Sequence, residues 1–423
     1  MVEFIYDNLK IKILQGYGEI GGNCIIVENN DKRIIFDQGI RFSRFKKFYN
    51  HNISPTGYSE MIKLGIIPRL DDPIDLFISH FHLDHLGLLH PLPMGSTVYV
   101  PNEEIFNSFI TPYKTANNWT TYVSPPIGVE ISTAIKNNDN ILPLYVEHSA
   151  YPATSYYYDS GNVRILYTGD FRLSSPLINL NQEIHRKLHE KTLLEEYEEK
   201  GLSTDILIIE GTNFSSHNMP VTSNYFIEQL LNIFKTHSNS LILVSIDSLD
   251  AEAILSMLEI SKLYGRIPVV EGRRLTNMAK VWVDLTGVNI DIYQLGTEEL
   301  NFNVIMEDEI KKNPSQYIIL SSKGDILDFA RRANLGKGSV VISLTAEAPS
   351  ESEENESVED NWLKMLGFII YRLRMSGHYY PFELKEILDT IKPKKVIPIH
   401  TEVPSLMCEY IRQLGYECLS RSS

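Results

Sequence analysis

Short apolar runs that stop at a polar residue recur along this 423-residue chain, and they narrow the folds open to it. "KIKILQGYGEIGGNCIIVEN" and "KRIIFDQG" are β-branched runs punctuated by glycines, which suits a meander of strands. "DLFISH", "STVYVP", "ILPLYVEHS", "ATSYYYDSGNVRILYTGD" and "DILIIEGT" continue the series. From about Asn213 the rhythm changes to alternating strands and helices, from "YFIEQLLNIF" and "SLILVSI" to "YIILSS" and "SVVISL". Such alternation predicts a parallel sheet covered by helices. Between Asn181 and Gly201 a single charged surface helix is expected, and the acidic stretch Ser350 to Asp360 reads as a solvated loop. A helix at "FELKEILDTI", a strand at "KKVIPIH" and a helix at "SLMCEYIRQLG" close the chain.

The run "ISHFHLDHLG" places His80, His82, Asp84 and His85 within six positions. Alternation along an extended segment aims His80 and His82 the same way, while Asp84 and His85 fall at a turn into a helix. Imidazole and carboxylate are suitable ligands for zinc or manganese. A cluster of surface histidines is the plain alternative, but three more ligand types recur downstream at strand ends. These are His148, Asp170 in "ILYTGDF" and His400 in "VIPIHTE". Each is weak evidence alone. Together they predict two sites of nitrogen and oxygen ligands.

"HFHLDHLG" resembles the HxHxDH signature of the metallo-β-lactamase fold, and "IIFDQG", "EHS" and "YTGDF" follow in the order that fold requires. Later segments resemble its β-CASP branch of nucleic-acid-processing nucleases, through "LIIEGT" at Glu210, "SGHYYP" at His378 and "PIHTE" at His400. Nearly the whole chain is similar to the ribonuclease J family. The resemblance implies an α/β fold, an αββα sandwich interrupted by a β-CASP domain with a helix-flanked parallel sheet. The expected boundaries are residues 1–212 and 371–423 for the sandwich and 213–370 for the inserted domain.

The resemblance also implies roles. His80, His82 and His148 would hold one divalent ion, Asp84, His85 and His400 a second, and Asp170 would bridge them. Zinc is expected, with manganese as the alternative. Asp84 and His378 count among the catalytic residues, with His378 as the acid that protonates the leaving 3′ oxygen and Glu210 orienting it. Asp37 would support the ligand loop. A histidine in the last motif goes with RNA-processing members, so the expected partner is single-stranded RNA. A 5′-to-3′ exoribonuclease on 5′-monophosphorylated RNA is the leading expectation, with an RNA endonuclease as the alternative. A small-molecule metallohydrolase would use the same metal cluster but leaves the inserted domain, Glu210 and His378 without a task. An inactive RNA-binding scaffold should have lost ligands, and none is lost.

Three departures stand out. Tyr379 follows His378 and Thr401 follows His400, where the family carries alanine and glycine, and "SSKGDIL" (Ser321 to Leu327) stands for "TGSQGEP". Tyr379 is expected to narrow or reshape the nucleotide pocket. No room is expected for the separate C-terminal domain of many bacterial members, and a homodimer stays open.

The net charge of −15 runs against general phosphate affinity, so an RNA path must be local. Candidates are Arg273, Arg274, Arg331, Arg332, Lys337, Arg372 and Arg374. Ser321, Ser322 and Gly324, or Ser245 and Ser248, offer hydroxyls and backbone N–H groups to a phosphate. No apolar run approaches 18 residues and the start lacks a basic-then-apolar pattern, so neither a membrane span nor a secretory signal is expected. Cys24, Cys408 and Cys418 do not make a disulfide framework, although Cys408 and Cys418 are free to meet. The expected setting is the cytoplasm.

Overall fold

In the strand Leu9–Gln15, buried Leu9, Ile11 and Ile13 alternate with part-exposed Lys10, Lys12 and Leu14, so one face of the pleat turns inward. A computed structural model describes residues 1–29, 32–134, 140–215, 220–296, 301–333, 335–345 and 358–420. They group into two units. The first comprises Met1–Leu173, Lys191–His217 and His378–Ser423, and the second Ser174–Glu190 and Asn218–Gly377.

The first unit has two sheets. One runs β1 (Val2–Tyr6), β2 (Leu9–Gln15), β3 (Cys24–Asn29), β4 (Lys32–Phe36), β5 (Asp75–Phe77), β6 (Thr97–Val100) and β7 (Glu130–Thr133), in that order. It is antiparallel up to β4 and parallel from β4 onward. The other contains β8 (Ile141–Val146), β9 (Ala153–Asp159), β10 (Arg164–Tyr167), β11 (Ile206–Glu210) and β19 (Lys395–Ile399), in the order β19-β11-β10-β9-β8. Here β10, β11 and β19 run parallel.

The two sheets face each other across one core. Phe36 and Phe77 of the first meet Tyr156 and Tyr167 of the second, with Phe36 stacked on Tyr156 at 5.8 Å and on Tyr167 at 5.1 Å. On the outer face of the second sheet, the helices Leu193–Glu199, Leu384–Ile391 and Pro404–Gln413 pack through Leu194, Leu388 and Met407. Glu103–Lys114 turns Phe106 and Phe109 inward against Phe81. The result is the expected four-layer sandwich. Cys408 and Cys418 are joined in a disulfide, their Cα atoms 5.3 Å apart, and Cys24 is a buried free thiol.

The second unit is a seven-stranded, all-parallel sheet. It contains β12 (Ile242–Ser245), β13 (Ile267–Val270), β14 (Tyr293–Leu295), β15 (Asn303–Ile305), β16 (Tyr317–Ser321), β17 (Val340–Thr345) and β18 (Ile369–Arg374). Their order is β15-β14-β13-β16-β12-β17-β18, with helices joining most successive strands. Strands buried on both faces need continuous apolar runs, and "ILVS" and "YIILS" are buried throughout.

Two expectations change. The charged segment 181–201 is two helices, Gln182–Leu188 and Leu193–Glu199, and they belong to different units. His189 breaks it, with extended backbone and a buried ion pair to Glu252 at 2.8 Å, and Thr192 with Glu195 forms a capping box that starts the second helix. Of the acidic stretch, residues 350–357 lie outside the described residues, while Val358 to Asp360 open the helix Val358–Met365. Among the described residues, no helix is long and apolar enough to cross a membrane.

Candidate metal centre

All the expected ligands lie in the first unit, in the segments that follow its strands. β4, β5 and β6 run parallel, so Asp37, one residue past β4, and the loop beginning at Ile78, directly after β5, leave the sheet side by side. The chain leaves β5 through bends at Ser79, Phe81 and His82 rather than as an extended segment, His82 caps the one-turn helix Leu83–Leu86, and Gly87 ends that turn at φ +64°. Across the sandwich, Asp170 follows β10, Glu210 ends β11 and His400 follows β19, three adjacent parallel strands. His148 follows β8. Carboxyl ends of neighbouring parallel strands are where such sheets place their chemistry.

The backbone is shaped around these groups. Asp37 and His400 adopt positive φ of 56° and 50°, conformations that non-glycine residues rarely take. Gly39 permits a closer approach than any side chain could, because an added Cβ would lie 1.6 Å from the Asp84 carbonyl oxygen.

Two groups of donor atoms converge. His80 Nε2 is 3.2 Å from His82 Nδ1, and His148 Nε2 is 3.4 Å from the same atom. Opposite them, His400 Nε2 lies 3.3 Å from both His85 Nε2 and Asp84 Oδ2, and Asp170 Oδ2 is 3.0 Å from His85 Nε2. Ligands about 2.05 Å from a tetrahedral zinc are spaced by roughly 3.3 Å, so these separations fit an ion at the centre of each group. Asp170 reaches both sets, with Oδ2 also 4.0 Å from His80 Nε2, and its buried Oδ1 has no hydrogen-bond partner among the described residues. A buried carboxylate oxygen left so is costly unless a cation takes it. The residues present therefore fit a pair of divalent ions.

Charge within the cluster points the same way. Burial, reinforced by His85, His148 and His82, pushes His80 well below the usual histidine value, into its neutral ligating form. Burial opposes protonation of His85, but the Asp170, Asp84 and Asp37 carboxylates outweigh it and raise its pKa well above the usual value. Burial likewise opposes the charge on Asp170, and His400, His85 and His378 together hold it well below the carboxylate range. His400 is raised against burial by Asp170 and Asp84. The carboxylates thus outweigh burial at both His85 and His400, and the same negative charge would favour a bound cation.

Asp37 fixes His85. Its Oδ2 accepts from His85 Nδ1 at 2.8 Å, from the Ser79 hydroxyl at 2.8 Å and from the Tyr167 hydroxyl, while Oδ1 accepts the Ser79 backbone N–H at 2.7 Å. Holding the Nδ1 proton there leaves His85 Nε2 free to ligate. Ser79 and Tyr167 do not stand out in the sequence, where a serine and a core tyrosine carry no spacing signal.

His378 stands beside the ligands and pairs with Glu210, its Nδ1 3.1 Å from Oε1 and 3.8 Å from Asp170 Oδ2. The Asn213 side-chain amide donates to the carbonyls of His378 and Tyr379, at 3.2 and 2.9 Å. Tyr379 does not face a pocket: it is buried against Phe171, and its hydroxyl donates to the Glu210 carbonyl at 2.7 Å. Thr401 is buried and bonds Ser215 at 2.9 Å.

The expected RNA contacts all fall in the second unit. Arg273 and Arg274 open the helix Arg273–Thr286 and are exposed, as is Lys337. Arg332 is held by Glu307 at 2.9 Å and Glu271 at 3.2 Å, Arg372 pairs with Asp360, and Arg331 lies over Trp362. Ser245 and Ser248 are largely buried, and Arg374 is partly so. Ser321 is fully buried. The Ser322 hydroxyl donates to Asp325 at 2.7 Å, and Gly324 lies in the following helix with open space beside it.

Comparison with known proteins finds two matching stretches of the chain. Residues 17–211 match the family described as the metallo-beta-lactamase superfamily, and residues 369–420 match the Zn-dependent metallo-hydrolase RNA specificity domain. The chain is 24% identical over 423 residues to ribonuclease J of Helicobacter pylori, which aligns with 93% of this chain. The chain spans 56% of that relative's length. It is 22% identical to ribonuclease J of Pyrococcus abyssi, covering 96% of this chain and 93% of that one. A crystal structure of a protein of unknown function from Enterococcus faecalis V583 superposes with a TM-score of 0.72 over 97% of both chains, at 20% identity. That likeness is one of fold.

Proposed function

Since the chain is a ribonuclease J-like β-CASP protein of the metallo-β-lactamase superfamily, we propose that it is a metal-dependent ribonuclease that degrades single-stranded RNA from a 5′-monophosphorylated end. The observation that carries this reading is the convergence of seven nitrogen and oxygen ligands beside a buried His378–Glu210 pair. In this reading His80, His82 and His148 hold one ion, Asp84, His85 and His400 the other, and Asp170 serves both. Zinc suits the histidine-rich set, with manganese as the alternative. When bound, two such cations supply Lewis acidity at the scissile phosphate and bring a water's pKa toward neutrality.

The side chains supply the rest. His378 donates a proton to the departing 3′ oxygen, and Glu210 holds its Nδ1–H so that the ring faces the reacting group. Asp37 keeps His85 in its ligating tautomer. The proposed setting is the cytoplasm.

The test uses purified protein and single-stranded RNA labelled at either end. A 3′ label should stay on progressively shortening 5′-monophosphorylated RNA, while a 5′ label should appear at once as mononucleotide. Discrete internal fragments, formed equally fast from circular RNA, would establish an endonuclease. No cleavage of any RNA under metal-loaded conditions would refute the ribonuclease reading.

A further inference from the structure

The turn that follows Glu210 contains a hydroxyl that touches both halves of the centre. Thr212 is fully buried, and its Oγ1 lies 2.7 Å from Glu210 Oε2 and 2.7 Å from His400 Nδ1. Its backbone N–H donates to the same Oε2 at 2.9 Å. The other oxygen, Oε1, faces His378 Nδ1 at 3.1 Å. His400 in turn points Nε2 at Asp84 Oδ2 and His85 Nε2, each 3.3 Å away.

We propose that Thr212 is a positioning residue whose single hydroxyl proton sets the tautomer of the ligand His400 and the orientation of the Glu210–His378 pair together. The inference rests on the metal-site reading above. A threonine hydroxyl has one proton to give, and a carboxylate oxygen only accepts. The O–H therefore donates to Glu210 Oε2, and the lone pairs of Oγ1 face His400 Nδ1, which must carry a hydrogen. That leaves His400 Nε2 with its lone pair toward the ligand group, the tautomer a metal ligand needs. On the other side, two donors pin Oε2 and turn Oε1 to His378. Removing the hydroxyl frees His400 Nδ1 and leaves Oε2 with the Thr212 backbone N–H alone.

The local backbone keeps the hydroxyl in place. Thr212 begins a 3₁₀ turn, Thr212–Phe214, directly after β11. Gly211 lets that turn press against the segment after β19, since an added Cβ would lie 2.4 Å from Met407 Sδ and 3.1 Å from Thr401 Cβ. His400 N–H donates to the Gly16 carbonyl at 2.7 Å, which fixes the facing loop in its positive-φ conformation.

Thr212→Val keeps the shape and loses the hydroxyl, whereas Thr212→Ser keeps the hydroxyl. The full chain would be titrated with Zn²⁺ against a chromogenic chelator, and cleavage measured across pH. The valine variant should bind zinc about 10- to 100-fold more weakly, the usual loss for a partner behind a ligand. It should also shift the pH profile of cleavage, and serine should restore both. Long-range ¹H–¹⁵N spectra of the zinc-loaded wild type should show His400 protonated on Nδ1. Wild-type zinc affinity and pH profile in Thr212→Val would overturn the proposal. Should that variant not fold, an Nε2-protonated His400 in the wild type would overturn it, as would weakened zinc binding in Thr212→Ser. A wild type that binds no zinc, manganese or cobalt fails earlier, and refutes the metal-site reading itself.

Discussion

His378 Nδ1 lies 3.1 Å from Glu210 Oε1, and both side chains are fully buried. A buried imidazole held by a carboxylate beside a ligand cluster is arranged to move a proton, and no observed separation requires it to ligate. His378→Ala should keep both metals and cleave RNA roughly 100- to 10,000-fold more slowly, the range for losing acid–base catalysis. Metal analysis together with single-turnover rates checks this. Loss of an ion from the variant would show that His378 is a ligand.

A second prediction concerns the stability of the second unit. Glu271, at the end of β13, is pushed up to about 7 by burial, with Arg332 opposing the shift and Asp325 adding to it. Between pH 4.5 and about 7 the folded state therefore holds this proton more tightly than the unfolded state. The group's contribution to stability is full below pH 4.5 and declines as pH rises through about 7. Glu271→Gln keeps the neutral shape. It should gain on the order of 2–3 kcal/mol over the wild type on going from pH 4.5 to pH 8. Urea unfolding of both proteins at the two pH values measures that gain. Parallel pH dependence in the two would contradict it.

Several of the candidate ligands were legible because they follow apolar strands, and a strand end is visible in one sequence. His148, Asp170 and His400 each follow such a run, and the parallel pairing of β10, β11 and β19 turns sequence-distant ends into neighbours. The hydroxyls of Ser79, Tyr167 and Thr212 were not legible, because a small polar or aromatic side chain near a ligand carries no periodicity. Tyr379 misled for a related reason: its place beside His378 suggested a pocket, whereas its ring packs in the core and its hydroxyl bonds the Glu210 carbonyl. The break at His189 had a readable sign in the Thr192–Glu195 capping box, which the run of charges obscured.

RNA binding by a chain of net charge −15 has to be local. If Arg273 and Arg274, exposed at the start of their helix, bind phosphates, affinity should fall steeply with salt. Arg273→Ala with Arg274→Ala should then lower the slope of log K against log salt by about 0.7 for each phosphate of a single strand that the pair neutralises. Fluorescence anisotropy over a salt series measures it. An unchanged slope in the double variant would move the path to other residues.

RNA hydrolysis by this chain is expected to require two ions held by His80, His82, His148, Asp84, His85, His400 and Asp170. Elemental analysis of purified wild type and His82→Ala, paired with RNA cleavage before and after chelation, tests it most directly. Two divalent ions per wild-type chain, fewer in His82→Ala, and cleavage that stops on chelation and returns when metal is restored are the expected results. Undiminished RNA cleavage by metal-stripped His82→Ala would contradict it.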